Sequence, residues 1–230
     1  MEIKLVAVDV DGTITESSRD LKLSHEGIEA VRSLTSAFTV VLVSGSSLPV
    51  VASLTYYLGT NGPIVAENGC IVLYKDLTEE HICRRRPPEE ALEAIEKLGF
   101  KRAWHNKYRH YDISFKPPRN FSRELLERAR KVAEEHDLAL IWSGFALHVQ
   151  EKGGGKDRGV EAVLRKLGLE WGNVAAVGDG ENDIPLLSRA ALSAATADSS
   201  EEVKRAAKLV LSKPGGRGLW EFAQMLLLPL

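Results

Sequence analysis

The chain has 230 residues, 44% of them hydrophobic and 27% charged, with 30 basic against 32 acidic side chains. That balance belongs to a soluble globular protein of one large domain or two small ones, and excludes a disordered, collagen-like or coiled-coil chain. The formal net charge of -2 lacks the basic excess of a nucleic-acid binder, and no apolar run reaches the roughly 18 residues of a membrane span.

No internal repeat is present. Leu5-Val6-Ala7-Val8 is a continuous apolar run, the pattern of a strand buried on both faces, and it stops at Asp9-Val10-Asp11-Gly12-Thr13. Ser24 caps a predicted helix to Leu34, with Ile28, Val31 and Leu34 at helical spacing. A second strand, Phe38 to Val43, ends in Ser44-Gly45-Ser46-Ser47, and Pro49 opens a helix to Leu58. Gly62-Pro63 turns into a third strand, Ile64-Val65-Ala66, followed by Glu67-Asn68-Gly69 and a return strand from Ile71 to Tyr74. The βαβαβ order predicts an α/β, Rossmann-like fold: a parallel sheet with helices on both faces.

The middle of the chain differs. Cys83-Arg84-Arg85-Arg86-Pro87-Pro88 is a charged break, read as a solvated linker. A helix at 89–98, a strand at 111–115, a helix at 122–136 and strands at 138–142 and 146–150 follow, closed by Gly153-Gly154-Gly155. Two proline breaks and a glycine hinge around an α+β pattern predict an inserted unit. The core is therefore expected at 1–80 and 153–230, with the insert at 81–152. Trp104 and Trp142 are assigned to the insert's own core, and His148 to structure. After the hinge, Lys156 opens a helix to Leu167. The strand Val174-Ala175-Ala176-Val177 then ends in Gly178-Asp179-Gly180-Glu181-Asn182-Asp183. A helix, a strand at 192–194, a helix at 200–206, a strand at 208–211 and a terminal helix from Gly218 complete the pattern.

In a parallel sheet the strand C-termini share one edge, and ligands bind there where strand order reverses. Asp9, Asp11, Asp179 and Asp183 thus converge with Ser44. Carboxylates so close repel one another unless a cation neutralises them, and hard oxygen ligands select Mg2+. Singly, each motif is weak: a lone Asp-x-Asp is usually a turn, and a serine after a strand is usually a helix cap. In order, on one edge, they describe a magnesium site open to a phosphate.

These motifs resemble the haloacid dehalogenase superfamily of phosphohydrolases. Asp9-Val10-Asp11-Gly12-Thr13 matches its first motif, Ser44 its second, Lys156 its lysine, and Gly178-Asp179 with Asn182-Asp183 its fourth. The insert after the third strand and the Glu67-Asn68-Gly69 loop are similar to the subgroup with a large α+β cap. That subgroup includes the Cof-like, sucrose-phosphate and archaeal phosphoglycolate phosphatases. The resemblance implies that Asp9 is the nucleophile of an aspartyl-phosphate mechanism and Asp11 the general acid and base. Ser44, Lys156, Gly12 and Asn182 would meet the phosphoryl group, and Thr13 would steady the loop. Asp9, Asp11, Asp179 and Asp183 would hold Mg2+, Asp183 through water or by orienting Lys156.

The cap would set specificity by closing over the substrate. Arg109, in the polar segment His105-Asn106-Lys107-Tyr108-Arg109-His110, is the candidate to pair with an anionic tail. Within that subgroup, compactness, a single mid-sized cap and a composition with only two glutamines are most similar to the archaeal phosphoglycolate type, and the resemblance implies 2-phosphoglycolate as substrate. The alternatives are a sugar-phosphate phosphatase of the sucrose or mannosylglycerate type, or a phosphomutase. A non-catalytic phosphoacceptor module is the reading from a different class. The inserted unit and the placement of Asp9 and Asp11 together after the first strand count against it. The expected partner is a small phosphorylated metabolite, with no nucleic acid and no membrane. The protein is expected as a monomer or homodimer, with the apolar tail from Met225 to Leu230 available to either arrangement. The start Met-Glu-Ile-Lys leads straight into a strand, so no signal peptide and a cytoplasmic location are expected. Cys70 and Cys83 are read as two reduced thiols.

Overall fold

A computed structural model describes residues 2–17 and 19–228. The elements in order are β1 (Leu5–Asp9), β2 (Thr15–Ser17), β3 (Asp20–Leu23), α1 (His25–Thr35), β4 (Thr39–Val43), α2 (Leu48–Leu58), β5 (Ile64–Ala66), β6 (Ile71–Leu73) and β7 (Glu79–His81). Then come α3 (Glu89–Lys97), β8 (Lys101–Arg102), β9 (Ile113–Lys116), α4 (Arg123–Glu135), β10 (Leu138–Trp142) and β11 (Leu147–Glu151). The chain closes with α5 (Lys156–Leu167), β12 (Val174–Gly178), α6 (Ile184–Arg189), β13 (Leu192–Ala195), α7 (Glu201–Ala206), β14 (Leu209–Val210) and α8 (Gly215–Leu227).

The large sheet has the order β14-β13-β12-β1-β4-β5-β6-β7. Its strands are parallel from β14 to β5, and β6 and β7 add antiparallel at the edge. The apolar run of β1 is continuous because both faces are covered. Val6 and Val8 pack with Val31 and Leu34 of α1, Val51 of α2 and Phe222 of α8. Leu5 and Ala7 pack on the opposite face with Val160 and Val163 of α5 and Leu186 of α6. Each such valine, leucine or phenylalanine contributes roughly 1.5–3 kcal/mol when fully buried. Ser24 caps α1, its Oγ accepting from the Gly27 N–H at 2.9 Å.

The smaller sheet, β10-β11-β9-β8, is antiparallel. Ile113 and Phe115 of β9 and Leu147 and Val149 of β11 pack on α3 and α4 in a separate apolar core. The alternate residues Ser114 and His148, directly opposite one another in register, face the other way.

Several expectations need correction. The β2–β3 hairpin, β7 and β8 went unpredicted because they are short and polar. The terminal helix starts at Gly215, three residues before Gly218. The expected division between residues 80 and 81 falls inside β7. Trp104 is 72% exposed in a 3-10 turn and is not core. Trp142 does pack in the insert, stacked on Phe121 at 4.5 Å. Arg84 to Arg86 are exposed, although Arg85 pairs with Glu151 and Arg86 donates to the Arg109 carbonyl. Cys70 and Cys83 are not free thiols but a disulfide. The β6–β7 pairing folds the chain back, and the Ile82 N–H donates to the Cys70 carbonyl at 2.8 Å, which sets the two residues side by side. In the tail, Leu226 packs on the large core while Met225 and Leu228 are exposed. Pro229 and Leu230 lie outside the described residues. No helix among the described residues is long and apolar enough to cross a membrane.

Candidate active site

Strand β1 lies between β12 and β4, so the chain ends that leave these three strands meet at one edge. Asp9 closes β1, Ser44 follows β4, Asp179 and Asp183 follow β12, and Lys156 opens α5. The Lys156 ammonium is buried. It donates to Asp9 Oδ1 and to Asp183 Oδ1, at 2.6 Å each. The other Asp183 oxygen accepts from the backbone N–H groups of Asp179 (3.2 Å) and Gly180 (3.0 Å), which folds the loop around it. Asp9 Oδ2 is buried without a hydrogen-bond partner.

Carboxylate oxygens of Asp9, Asp179 and Asp183 lie within 4.8 Å of one another. Burial and the neighbouring Asp183 charge raise the Asp9 carboxyl to about 7. Burial, Asp9 and Asp183 push Asp179 well above the usual carboxylate range. Asp11 is raised too, chiefly by burial. Burial alone would lower the Lys156 ammonium, but Asp183 and Asp9 outweigh it and hold it above the ordinary lysine value. One lysine thus faces four carboxylates. The donor set is hard oxygen, Asp9 Oδ2 is unpartnered, and the uncompensated charge is negative; these residues fit a divalent cation of the Mg2+ type.

The loop geometry explains Gly12. Its φ is +93°, and a Cβ there would meet the Asp179 carboxylate at 2.1 Å. Its N–H donates to Thr15 Oγ1 at 2.7 Å. Thr15 therefore steadies the loop, whereas the Thr13 hydroxyl is buried without a partner. Ser44 is buried, its Oγ accepting from the Ser46 N–H at 2.9 Å. Gly45 and Ser46, rather than Ser44, line the cavity.

That cavity, of about 550 Å3, opens between the two sheets. Asp9, Asp11, Asp179 and Asn182 form its floor. Arg109, Ser114, Lys116 and His148 face them from the smaller sheet's side, and Leu21 enters from the β2–β3 hairpin. Of the core residues singled out from the sequence, Asp9, Asp11, Asp179 and Asn182 are on this cavity, with Arg109 of the smaller sheet's side; Gly12, Thr13, Ser44, Lys156 and Asp183 do not line it.

Glu67, Asn68 and Asp112, to which the sequence assigns no role, join the site as a set. Glu67 and Asn68 both have φ near +51°, held by backbone bonds to Ser46 and Ser44. The buried Glu67 carboxylate accepts from the N–H groups of His110, Tyr111 and Asp112, at 2.8–3.1 Å. Asn182 Nδ2 donates to Asn68 Oδ1, and Asn68 Nδ2 to Asp112 Oδ2, each at 3.0 Å. Asp112 Oδ2 also accepts from Arg109 Nη1 and His148 Nδ1, at 2.8 Å each. Burial alone would raise Asp112, but His148 and Arg109 outweigh it and hold the carboxyl below its ordinary range. His148, assigned to structure from the sequence, is thus joined to the acidic loop through Asp112, Asn68 and Asn182. The oddity of Glu67-Asn68-Gly69 after a strand was the one local signal.

A carboxylate cluster with a buried lysine at the switch point of a parallel sheet, under a second sheet, defines a class. The chain belongs to the haloacid dehalogenase-like hydrolases, whose family description it matches over residues 6–115 and 111–222. Within that family it is 44% identical to an Aeropyrum pernix protein named phosphoglycolate phosphatase, over 98% of this chain and 94% of the relative. A Metallosphaera sedula protein of the same name is 37% identical, over 98% and 99%. A crystal structure of a Thermoplasma acidophilum protein superposes with a TM-score of 0.86 at 27% identity, covering 98% of this chain and 99% of that one. A haloacid dehalogenase-like hydrolase from Bacteroides thetaiotaomicron, at 18% identity and a TM-score of 0.76 over 98% of this chain and 100% of that one, shares the fold.

Proposed function

We propose that this protein hydrolyses small phosphomonoesters through an aspartyl-phosphate at Asp9, with 2-phosphoglycolate as substrate. The observation that carries the reading is the buried Asp9–Lys156–Asp183 cluster beside Asp11 on a cavity of about 550 Å3. The relatives' name supports the substrate.

An Asp9 carboxylate oxygen attacks phosphorus and forms an acyl-phosphate bond while the ester P–O bond breaks. Asp11 gives its proton to the departing oxygen; burial, by raising its pKa, keeps that proton available nearer neutrality. Asp11, now a carboxylate, takes a proton from water. The water oxygen attacks phosphorus, the Asp9–phosphorus bond breaks, and inorganic phosphate leaves. Lys156 holds Asp9 in place and offsets charge on the phosphoryl oxygens. Ser46 and Asn182 bound the phosphoryl site, and Ser44 behind them holds the Ser46 N–H.

Asp9, Asp179 and Asp183, with Asp11, would hold Mg2+. Bound there, it would offset the charge of the carboxylates and of the phosphoryl group. The segment from α3 to β11 acts as a cap, fastened to the core by Glu67 and Asp112.

The cavity volume also admits a sugar phosphate, so the test is a panel. Phosphate release from 2-phosphoglycolate, several sugar phosphates and an aryl phosphate is measured with Mg2+ and with EDTA. Release that requires Mg2+ and is fastest on 2-phosphoglycolate is expected. A faster sugar phosphate refutes the substrate, and no release from folded, magnesium-supplied protein refutes the hydrolase.

A further inference from the structure

We infer that Lys116 reads the anionic tail of the substrate and is the residue that makes the site selective for esters with a carboxylate end. The inference rests on the hydrolase reading above and deepens it. Arg109, the cation singled out from the sequence, already has two of its three nitrogens bonded within the cap. Its Nη1 bonds Asp112 Oδ2 at 2.8 Å, its Nε meets His105 Nδ1 at 3.3 Å, and the residue is 5% exposed. His148 is likewise held on Asp112 at 2.8 Å. The negative charge of Asp112 thus answers the cap's two buried bases.

Lys116 differs. It stands two residues after Ser114 on β9, so period-two alternation sets it on the same, cavity-facing side of the sheet. It forms no ion pair among the described residues. Lys101 of β8 sits directly opposite it in register, also without an ion pair among the described residues. Like charges directly opposite across a strand pair cost stability. A sheet that keeps two lysines opposed, one of them on the wall of a cavity floored by phosphate chemistry, has a place for a second anion. The phosphoryl group belongs on the floor with Asp9. The far end of a short ester then points to the opposite wall, where Lys116 supplies a charge-assisted hydrogen bond to a carboxylate. The exposed Lys116 carries no packing load, so its variants retain the fold.

The test compares 2-phosphoglycolate with 2-hydroxyethyl phosphate, which has the same length and a neutral end. For each enzyme the ratio of kcat/KM on the two esters is taken. Lys116→Gln is expected to lower that ratio about 10- to 100-fold, chiefly through KM for 2-phosphoglycolate. Lys116→Arg is expected to restore most of it, and Lys116→Glu to favour the cationic phosphoethanolamine over 2-phosphoglycolate. Calorimetric binding of 2-phosphoglycolate to an Asp9→Asn protein should weaken by a similar factor when Lys116→Gln is added. A ratio within about twofold of wild type in Lys116→Gln overturns the inference while wild-type hydrolysis still stands. An equal loss on both esters also overturns it, since Lys116 would then serve the phosphoryl group. A wild type that hydrolyses neither ester but releases phosphate from a sugar or aryl phosphate removes the inference and leaves the hydrolase reading, whereas release from no ester removes both.

Discussion

Replacing Lys156 with methionine isolates the electrostatics of the site. In the wild type, Nζ lies 2.6 Å from an oxygen of Asp9 and 2.6 Å from one of Asp183, and all three groups are buried. Lys156→Met keeps the length of the side chain and removes its charge, leaving both carboxylates without their cation. Removing one partner of a buried ion pair costs about 3–5 kcal/mol. At about 2–4 °C per kcal/mol for a chain of this size, the melting temperature should fall by roughly 6–20 °C. The pH dependence sharpens the test. The folded-state pKa of Lys156 is raised, so its contribution is complete below the ordinary lysine value and disappears only as pH rises through the raised one. It is therefore fully present near neutrality. Asp9 is raised to about 7, so the stability it confers is complete below the unfolded carboxylate value and is lost as pH rises through about 7. Without the lysine to lower it, Asp9 rises further and the loss grows. The gap between wild type and variant should thus be larger at about pH 8 than at about pH 5, where the Asp9 carboxyl is protonated. Calorimetric melting in EDTA at both pH values is the assay. Equal melting temperatures at the higher pH, or a gap that does not change with pH, would refute the reasoning.

Other outcomes follow from the same geometry. Mg2+ binding must displace protons from Asp9 and Asp179, both raised by burial, so affinity should climb between about pH 6 and pH 8. Calorimetry in two buffers of different ionisation enthalpy would detect the released protons, and a pH-independent affinity would count against the carboxylate site. Gly12→Ala puts a Cβ 2.1 Å from the Asp179 carboxylate at a φ of +93°, so Mg2+ should raise the melting temperature much less than in wild type. An unchanged Mg2+ response would mean Asp179 is not a ligand. The Cys70–Cys83 bridge closes a sequence separation of 13 residues. A loop of that length is worth about 3 kcal/mol, so reductant or Cys70→Ser should lower the melting temperature by roughly 6–12 °C. No shift on reduction would show that the bridge does not form in solution.

The elements that carry the acidic cluster were legible because each leaves a local mark. A strand buried on both faces must be apolar throughout, so the change from Val8 to Asp9 marks the sheet edge, and the same change follows Val177. Lys156 was visible as the first residue of an amphipathic helix after three glycines. The cap contacts left no such mark. Glu67 meets residues 43 to 45 positions later, and Asp112 meets His148 across 36. Those contacts depend on how the smaller sheet docks, and local periodicity does not encode docking. The disulfide was hidden for a related reason. Its geometry depends on β7, whose Glu-Glu-His sequence does not read as a strand. Trp104 misled because bulk and apolarity argue for burial, while its 3-10 turn projects it outward. The β2–β3 hairpin is too short and too exposed to show alternation, yet it lends Leu21 to the cavity wall.

The central claim is that Asp9 accepts the phosphoryl group and Asp11 releases it. The most direct measurement is the intact mass of an Asp11→Asn protein after brief mixing with Mg2+ and an aryl phosphate, whose leaving group needs no general acid, followed by acid quench and peptide mapping. Asparagine has no carboxylate to activate water, so a phosphate adduct on Asp9 should accumulate. Such an adduct, absent when Asp9→Asn is added, is the predicted result. An unmodified Asp9 in a protein whose wild-type form hydrolyses the ester would contradict the account.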